Sequence, residues 1–96
     1  MSLEIRYAKA AFDDFERLHA FLDAVDSTAA IRAVETLYAS ISDLKTHPGL
    51  GRPYDVPRNV REIIVKYKRT AYVVRYQTSD DVILILRIWH AREDRA

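Results

Sequence analysis

Residues 60 to 90, VREIIVKYKRTAYVVRYQTSDDVILILRIWH, decide the fold. Three runs rich in Val, Ile and Tyr lie in this stretch: Val60 to Tyr67, Thr70 to Thr78, and Val82 to His90. β-Branched and aromatic residues suit a pleated, half-buried surface, so each run predicts a strand. Lys68 and Arg69 form one connection, and Asp80 and Asp81 sit in the other. Sequential strands joined by turns this short pair as an antiparallel meander. The last run is largely apolar on both faces, which predicts an interior place in the sheet. With a two-residue or four-residue loop before it, Tyr72, Val74 and Tyr76 share a face with Ile83, Ile85, Arg87 and Trp89. Val73, Arg75 and Gln77 then share the other face with Val82, Leu84, Leu86, Ile88 and His90.

Upstream the periodicity changes. Leu3 to Tyr7 alternates apolar and charged residues, as a short strand does. From Ala8 onward, Ala11, Phe15, Leu18, Leu22 and Val25 recur at spacings of four and three, with Phe12 and Phe21 widening the stripe. Asp13, Asp14, Glu16, Arg17 and Asp23 fill the other side. Asp26, Ser27 and Thr28 supply capping side chains between this helix and a second, whose stripe is Ile31, Val34, Leu37, Ile41 and Leu44. Pro48 stops the second helix, because its ring disfavours a helical conformation at His47. HPGLGRPYDVPRN, residues 47 to 59, holds every proline and glycine of the chain and reads as a loop of roughly a dozen residues. The expected architecture is α+β in the order βααβββ, with a helical hairpin packed on a three-stranded meander.

Ninety-six residues are too few for two cores, so residues 1–96 are expected to form a single domain. Charged residues at 30% and hydrophobic residues at 49% are the balance of a globular chain rather than a disordered one. The absence of cysteine excludes disulfide and thiolate-metal scaffolds. His19, His47 and His90 lack paired ligand spacing, so neither metal nor cofactor is expected. The start carries Glu4 and no apolar signal core, and no run reaches the length of a membrane span. A cytoplasmic protein with no membrane partner is the expectation.

Charge is divided unevenly. Residues 1–51 hold five Lys/Arg against eight Asp/Glu, a net of −3, whereas residues 52–96 hold ten against six, a net of +4. The second half is the candidate face for an acidic partner. Arg61, Lys66, Lys68, Arg69 and Arg75 can neutralise carboxylates or phosphates there, among Tyr67, Tyr72 and Tyr76. Asp13 beside Asp14, and Asp80 beside Asp81, read as solvated pairs, since adjacent helical residues do not face each other. RNA cleavage without a metal needs a proton acceptor, a proton donor and positive charge on the phosphate. His90 with Arg61 and Arg92 is the set available for that chemistry.

HPGLGRP, VRE in VREIIV, YVVRY, and the terminal IWHARE, set in this order of elements, resemble the RelE/ParE superfamily of toxins from type II toxin–antitoxin modules, the ParE branch more closely. The resemblance covers nearly the whole chain. It implies a toxin whose two helices pack on the sheet, wrapped by the C-terminal segment of a cognate antitoxin, itself of the ribbon-helix-helix type. It implies DNA gyrase as the inhibited target, with the ribosome and messenger RNA as the alternative if the chain follows the endonucleases of the RelE branch. A toxin fold that only binds antitoxin is a third alternative. The nuclease branch places an arginine after the tyrosine of its penultimate strand, where Val73 follows Tyr72 here, and no aromatic residue follows Trp89. The partner-binding set expected on this resemblance is Arg52, Arg61, Lys66, Arg69, Arg75, Trp89, His90 and Arg92.

Overall fold

In the computed structural model, which describes residues 3–93, the elements run β1 (Glu4–Tyr7), α1 (Lys9–Val25), α2 (Ser27–Asp43), β2 (Arg52–Asp55), β3 (Val60–Tyr67), β4 (Thr70–Thr78) and β5 (Val82–His90). The meander strands have the bounds read from the sequence. Within the prolyl loop the structure adds β2, which pairs antiparallel with the first residues of β3. The sheet order is β1-β5-β4-β3-β2, with β1 parallel to β5. β5 is therefore interior, as its two apolar faces require.

Asp26 alone joins the helices. Its carboxylate accepts the N–H of Thr28 at 2.9 Å and of Ala29 at 3.2 Å, satisfying donors that open α2. Ala11, Phe15, Leu18, Leu37, Ile41 and Leu44 then meet Ile63, Val65, Tyr72, Val74, Tyr76, Ile83, Ile85 and Ile88 of the sheet in one core. The buried stripe is shorter than its periodicity suggests. Phe12 and Ile31 are exposed, and Phe21 and Val25 are 70% and 79% exposed. A 17-residue helix spans about 25 Å, and burial along α1 ends at Leu22, so its last turn has no sheet beneath it.

A bulge overturns the expected face assignment of β5. Arg75 pairs with Arg87 while Tyr76 pairs with Ile85, which leaves Leu86 without an opposite residue. One extra residue inverts the alternation on one side of the bulge. Ile83 and Ile85 share the helix-facing side with Tyr76 as expected, but beyond the bulge Ile88 and His90 join Val74 and Tyr72 there. Trp89 turns instead to the outer face, opposite Val73.

Asp14 corrects the reading of its acidic pair. It is 4% exposed, whereas Asp13 lies at the surface bonded to Lys9. β1 stops opposite Ile85, so the edge of β5 beyond that point lacks a neighbouring strand. The Asp14 carboxylate takes its place, accepting the Ile88 N–H at 2.9 Å and two Arg87 N–H groups at 2.8 and 3.1 Å. Successive helix residues point about 100° apart, so one carboxylate meets solvent and the next meets the sheet.

The prolyl loop is held from beneath. The buried Tyr76 hydroxyl donates to the Pro48 carbonyl at 2.7 Å and accepts the Gly51 N–H at 2.9 Å. Arg61 donates to the Gly51 carbonyl at 2.8 Å. A Cβ on Gly51 would lie 2.7 Å from the Glu62 carbonyl oxygen, so the close approach requires glycine. Tyr76→Phe should lower stability by about 1–3 kcal/mol, because it leaves the Gly51 N–H and the Pro48 carbonyl without their partner. Urea unfolding checks this, and an unchanged midpoint would show that the loop is held by other contacts.

Candidate functional site

On the outer face of the sheet, the Arg75 guanidinium lies 3.8 Å from the Tyr54 ring centre and 4.9 Å from that of Trp89. It also bonds the buried Glu62 carboxylate at 2.8 Å, and Arg52 approaches the same carboxylate at 3.4 Å. Cation–π contact and the ion pair act on one group and fasten β2 to β4. Arg52, Arg75 and Trp89 are thus brought together, each engaged inside the chain.

The helix-facing side opens into a groove of about 780 Å³ between α1 and the adjoining ends of β4 and β5. Leu18, Phe21, Leu22 and Tyr72 line it, with Arg17, Arg92 and Glu93 as its charged groups among the described residues. Past its far side Lys66, Lys68, Arg69 and Arg92 gather around the β3–β4 turn. No carboxylate pairs with these four cations among the described residues. Lys68 has a positive φ of 55°, a conformation that favours glycine in such turns. A charged residue therefore stands where the backbone alone would prefer none.

His90 stands between groove and cluster. Its Nδ1 accepts the Arg92 N–H at 3.0 Å, and its Nε2 bonds the Thr70 hydroxyl. An acceptor Nδ1 places the proton of the neutral ring on Nε2. The ring meets Tyr72 edge-on at 5.4 Å. Both nitrogens have partners within the chain, as expected of a ring that positions the turn after β5.

The structure does not bring Arg61 to His90 and Arg92. Arg61 is level with Tyr76 and His90 with Tyr72. That separation is about 13 Å along the strands and roughly 10 Å across them. Arg61 is instead the clamp on Gly51 described above. Residues absent from the sequence-derived set complete the groove: Arg17, Leu18, Phe21, Leu22, Thr70, Tyr72 and Glu93. Arg17 was placed on the solvated side of α1, yet it bonds Glu93 at 2.7 Å and lies 3.6 Å from Asp14. Its spacing of three from Asp14 was readable as a helical pair; nothing local indicated a partner 76 positions away.

Residues 5–95 match the family model described as ParE toxin of type II toxin-antitoxin system, parDE. Toxin RelE1 of Caulobacter vibrioides is 34% identical over 95 residues, covering 99% of this chain and all of that one. Toxin RelE3 of the same organism is 32% identical over 82 residues, covering 85% of this chain and 87% of its own. A solved chain from the chromosomal ParDE system of P. aeruginosa shares the fold, with a TM-score of 0.73, 22% identity, and coverage of 93% and 96% of the two chains. No helix among the described residues is long and apolar enough to cross a membrane. The chain therefore belongs to the ParE toxin family within the ParE/RelE superfamily of type II toxin–antitoxin systems.

Proposed function

We propose that this toxin acts by binding DNA gyrase, and that a ribbon-helix-helix antitoxin neutralises it by seating an acidic, amphipathic C-terminal segment in the groove beside α1. The carrying observation is the pairing of an apolar floor, Leu18, Phe21, Leu22 and Tyr72, with cations at the rim, Arg17, Arg92, Lys68 and Arg69. An amphipathic segment lays its apolar face into such a groove, while rim charges guide its approach. Lys66 and Arg69 extend the same cationic side. DNA contact by the complex would come from the antitoxin.

Binding is favoured over RNA cleavage by the separation of Arg61 from His90 and Arg92, by the internal partners of His90, and by Val73 where an arginine would hold phosphate. A base must reach the proton it removes, and in this tautomer His90 Nε2 already carries one. The purified toxin should inhibit supercoiling by gyrase and leave translated messenger RNA uncut. New 5′ ends inside translated codons, mapped by primer extension with supercoiling unaffected, would replace this reading with ribosome-dependent cleavage. Growth unaffected by expression, together with tight antitoxin binding, would identify a module that only binds.

A further inference from the structure

We infer that Glu93 is an internal competitor for the groove: its carboxylate occupies the place on Arg17 that a carboxylate of the bound partner takes. The inference rests on the reading of the groove as a docking surface and adds the contact that governs its occupancy.

Arg17 is the cation on the helical wall of the groove. One side of its guanidinium lies 3.6 Å from Asp14, whose oxygens are already taken by Arg87 and the Ile88 N–H. Asp14 therefore aims Arg17 without satisfying it. The other side is met at 2.7 Å by Glu93, which lines the groove from the turn after β5. That turn folds back as a strap. The Glu93 N–H donates to the His90 carbonyl at 2.8 Å, the Arg92 N–H donates to His90 Nδ1 at 3.0 Å, and the Glu93 carboxylate accepts the His90 N–H at 3.4 Å.

The strap holds Arg17 in place but holds it weakly. The side chains of Arg17 and Glu93 are 42% and 28% exposed, and solvent-screened pairs of this kind contribute little stability. An incoming carboxylate exchanges one ion pair for an equivalent one while its apolar residues enter the groove. Arg17 meanwhile stays aimed by Asp14, so little ordering is required of it. The partner chemistry that fits is an apolar body bearing an anion at its rim. On this account the strap lowers the affinity for every such ligand.

The test uses the intact toxin and the apolar anion 1-anilinonaphthalene-8-sulfonate, so it needs no antitoxin. Its sulfonate stands in for the carboxylate. Native protein should bind the probe with amide shifts at Leu22 and Thr70. Glu93→Gln should tighten binding roughly two- to five-fold, the scale of one screened ion pair, with near-ultraviolet dichroism unchanged. Arg17→Gln should weaken binding, and adding Glu93→Gln to it should give no further gain. Glu93→Asp, which keeps the charge and shortens its reach, should fall between wild type and Glu93→Gln and guards against a folding defect. Equal affinity of wild type and Glu93→Gln would overturn the competitor role while leaving the groove intact. Shifts elsewhere than Leu22 and Thr70, or tightening by Glu93→Gln even without Arg17, would overturn it as well.

Discussion

Asp14→Asn should lower the thermal midpoint of the toxin by about 8–16 °C. The carboxylate is almost fully buried, and it serves Arg87 twice and the Ile88 N–H once. Arg87 is 38% exposed and regains water when its partner is neutralised, so the cost is that of the lost charge-assisted bonds, about 2 kcal/mol after allowance for the bonds an amide retains. One kcal/mol moves the midpoint of a domain this small by roughly 4–8 °C. The neighbouring Asp13→Asn serves as the control and should change stability by less than about 0.5 kcal/mol. Calorimetry on both variants decides the matter, and equal midpoints would mean that Asp14 does not tie α1 to the sheet.

The same group sets a pH dependence. Burial alone would raise the Asp14 pKa, but the bonds from Arg87 and the Ile88 N–H and the charges of Arg87 and Arg17 outweigh it and hold the pKa below the ordinary 3.8. A carboxyl whose folded pKa is depressed contributes its full stability above the unfolded value and loses it as pH falls through the folded one. Stability should therefore drop as pH is lowered from about 4. Asp14→Asn should flatten that limb of the stability profile.

Leu22→Glu should weaken antitoxin binding by at least about a hundred-fold. Leu22 is half-buried and lines both stretches of the groove, next to Phe21 on one side and to Tyr67 and Lys68 on the other. A truncated apolar anchor at the centre of an interface costs about 2–4 kcal/mol, and a carboxylate there adds repulsion against an acidic segment. Because Leu22 is only partly covered in the free toxin, the fold should survive with a modest loss of stability. Calorimetric titration with the cognate antitoxin measures the effect. Undiminished affinity would move the antitoxin off this groove, a failure separate from that of the Glu93 competitor, which the sulfonate probe reads without any antitoxin.

Several elements were legible because they depend on neighbours in the chain. The helical hairpin follows from spacings of three and four, its junction from the Asp26 cap, and the meander from β-type runs around short turns. The faces of β5 were legible only near its start. The bulge at Leu86 carries no sequence mark such as glycine, and one unpaired residue was enough to exchange His90 with Trp89. Strand β2 was hidden in a segment rich in proline and glycine, where Tyr76, Arg61 and the Arg75 sandwich hold an otherwise irregular backbone against β3.

The candidate site was less legible for the same reason. Positive charge in the second half pointed to the side that holds Lys66, Lys68, Arg69 and Arg92. Most of the apolar floor, Leu18, Phe21 and Leu22, came from α1, whose outer turns read as ordinary helix. Arg61 and Arg75 carried the charge expected of contact residues, yet the fold commits them to a glycine carbonyl and to a buried glutamate.

By itself the sequence determined the order of the helices and of every strand but β2, together with the strand bounds of the meander, since periodicity, capping and turn chemistry act over a few residues; its motifs carried the resemblance to the toxin family. Only the tertiary structure decided which charges are free for a partner. Asp14 meets Arg87 and Arg17 meets Glu93 across more than seventy positions, and whether a charge is buried, paired or open to solvent is a property of what the folded chain brings beside it.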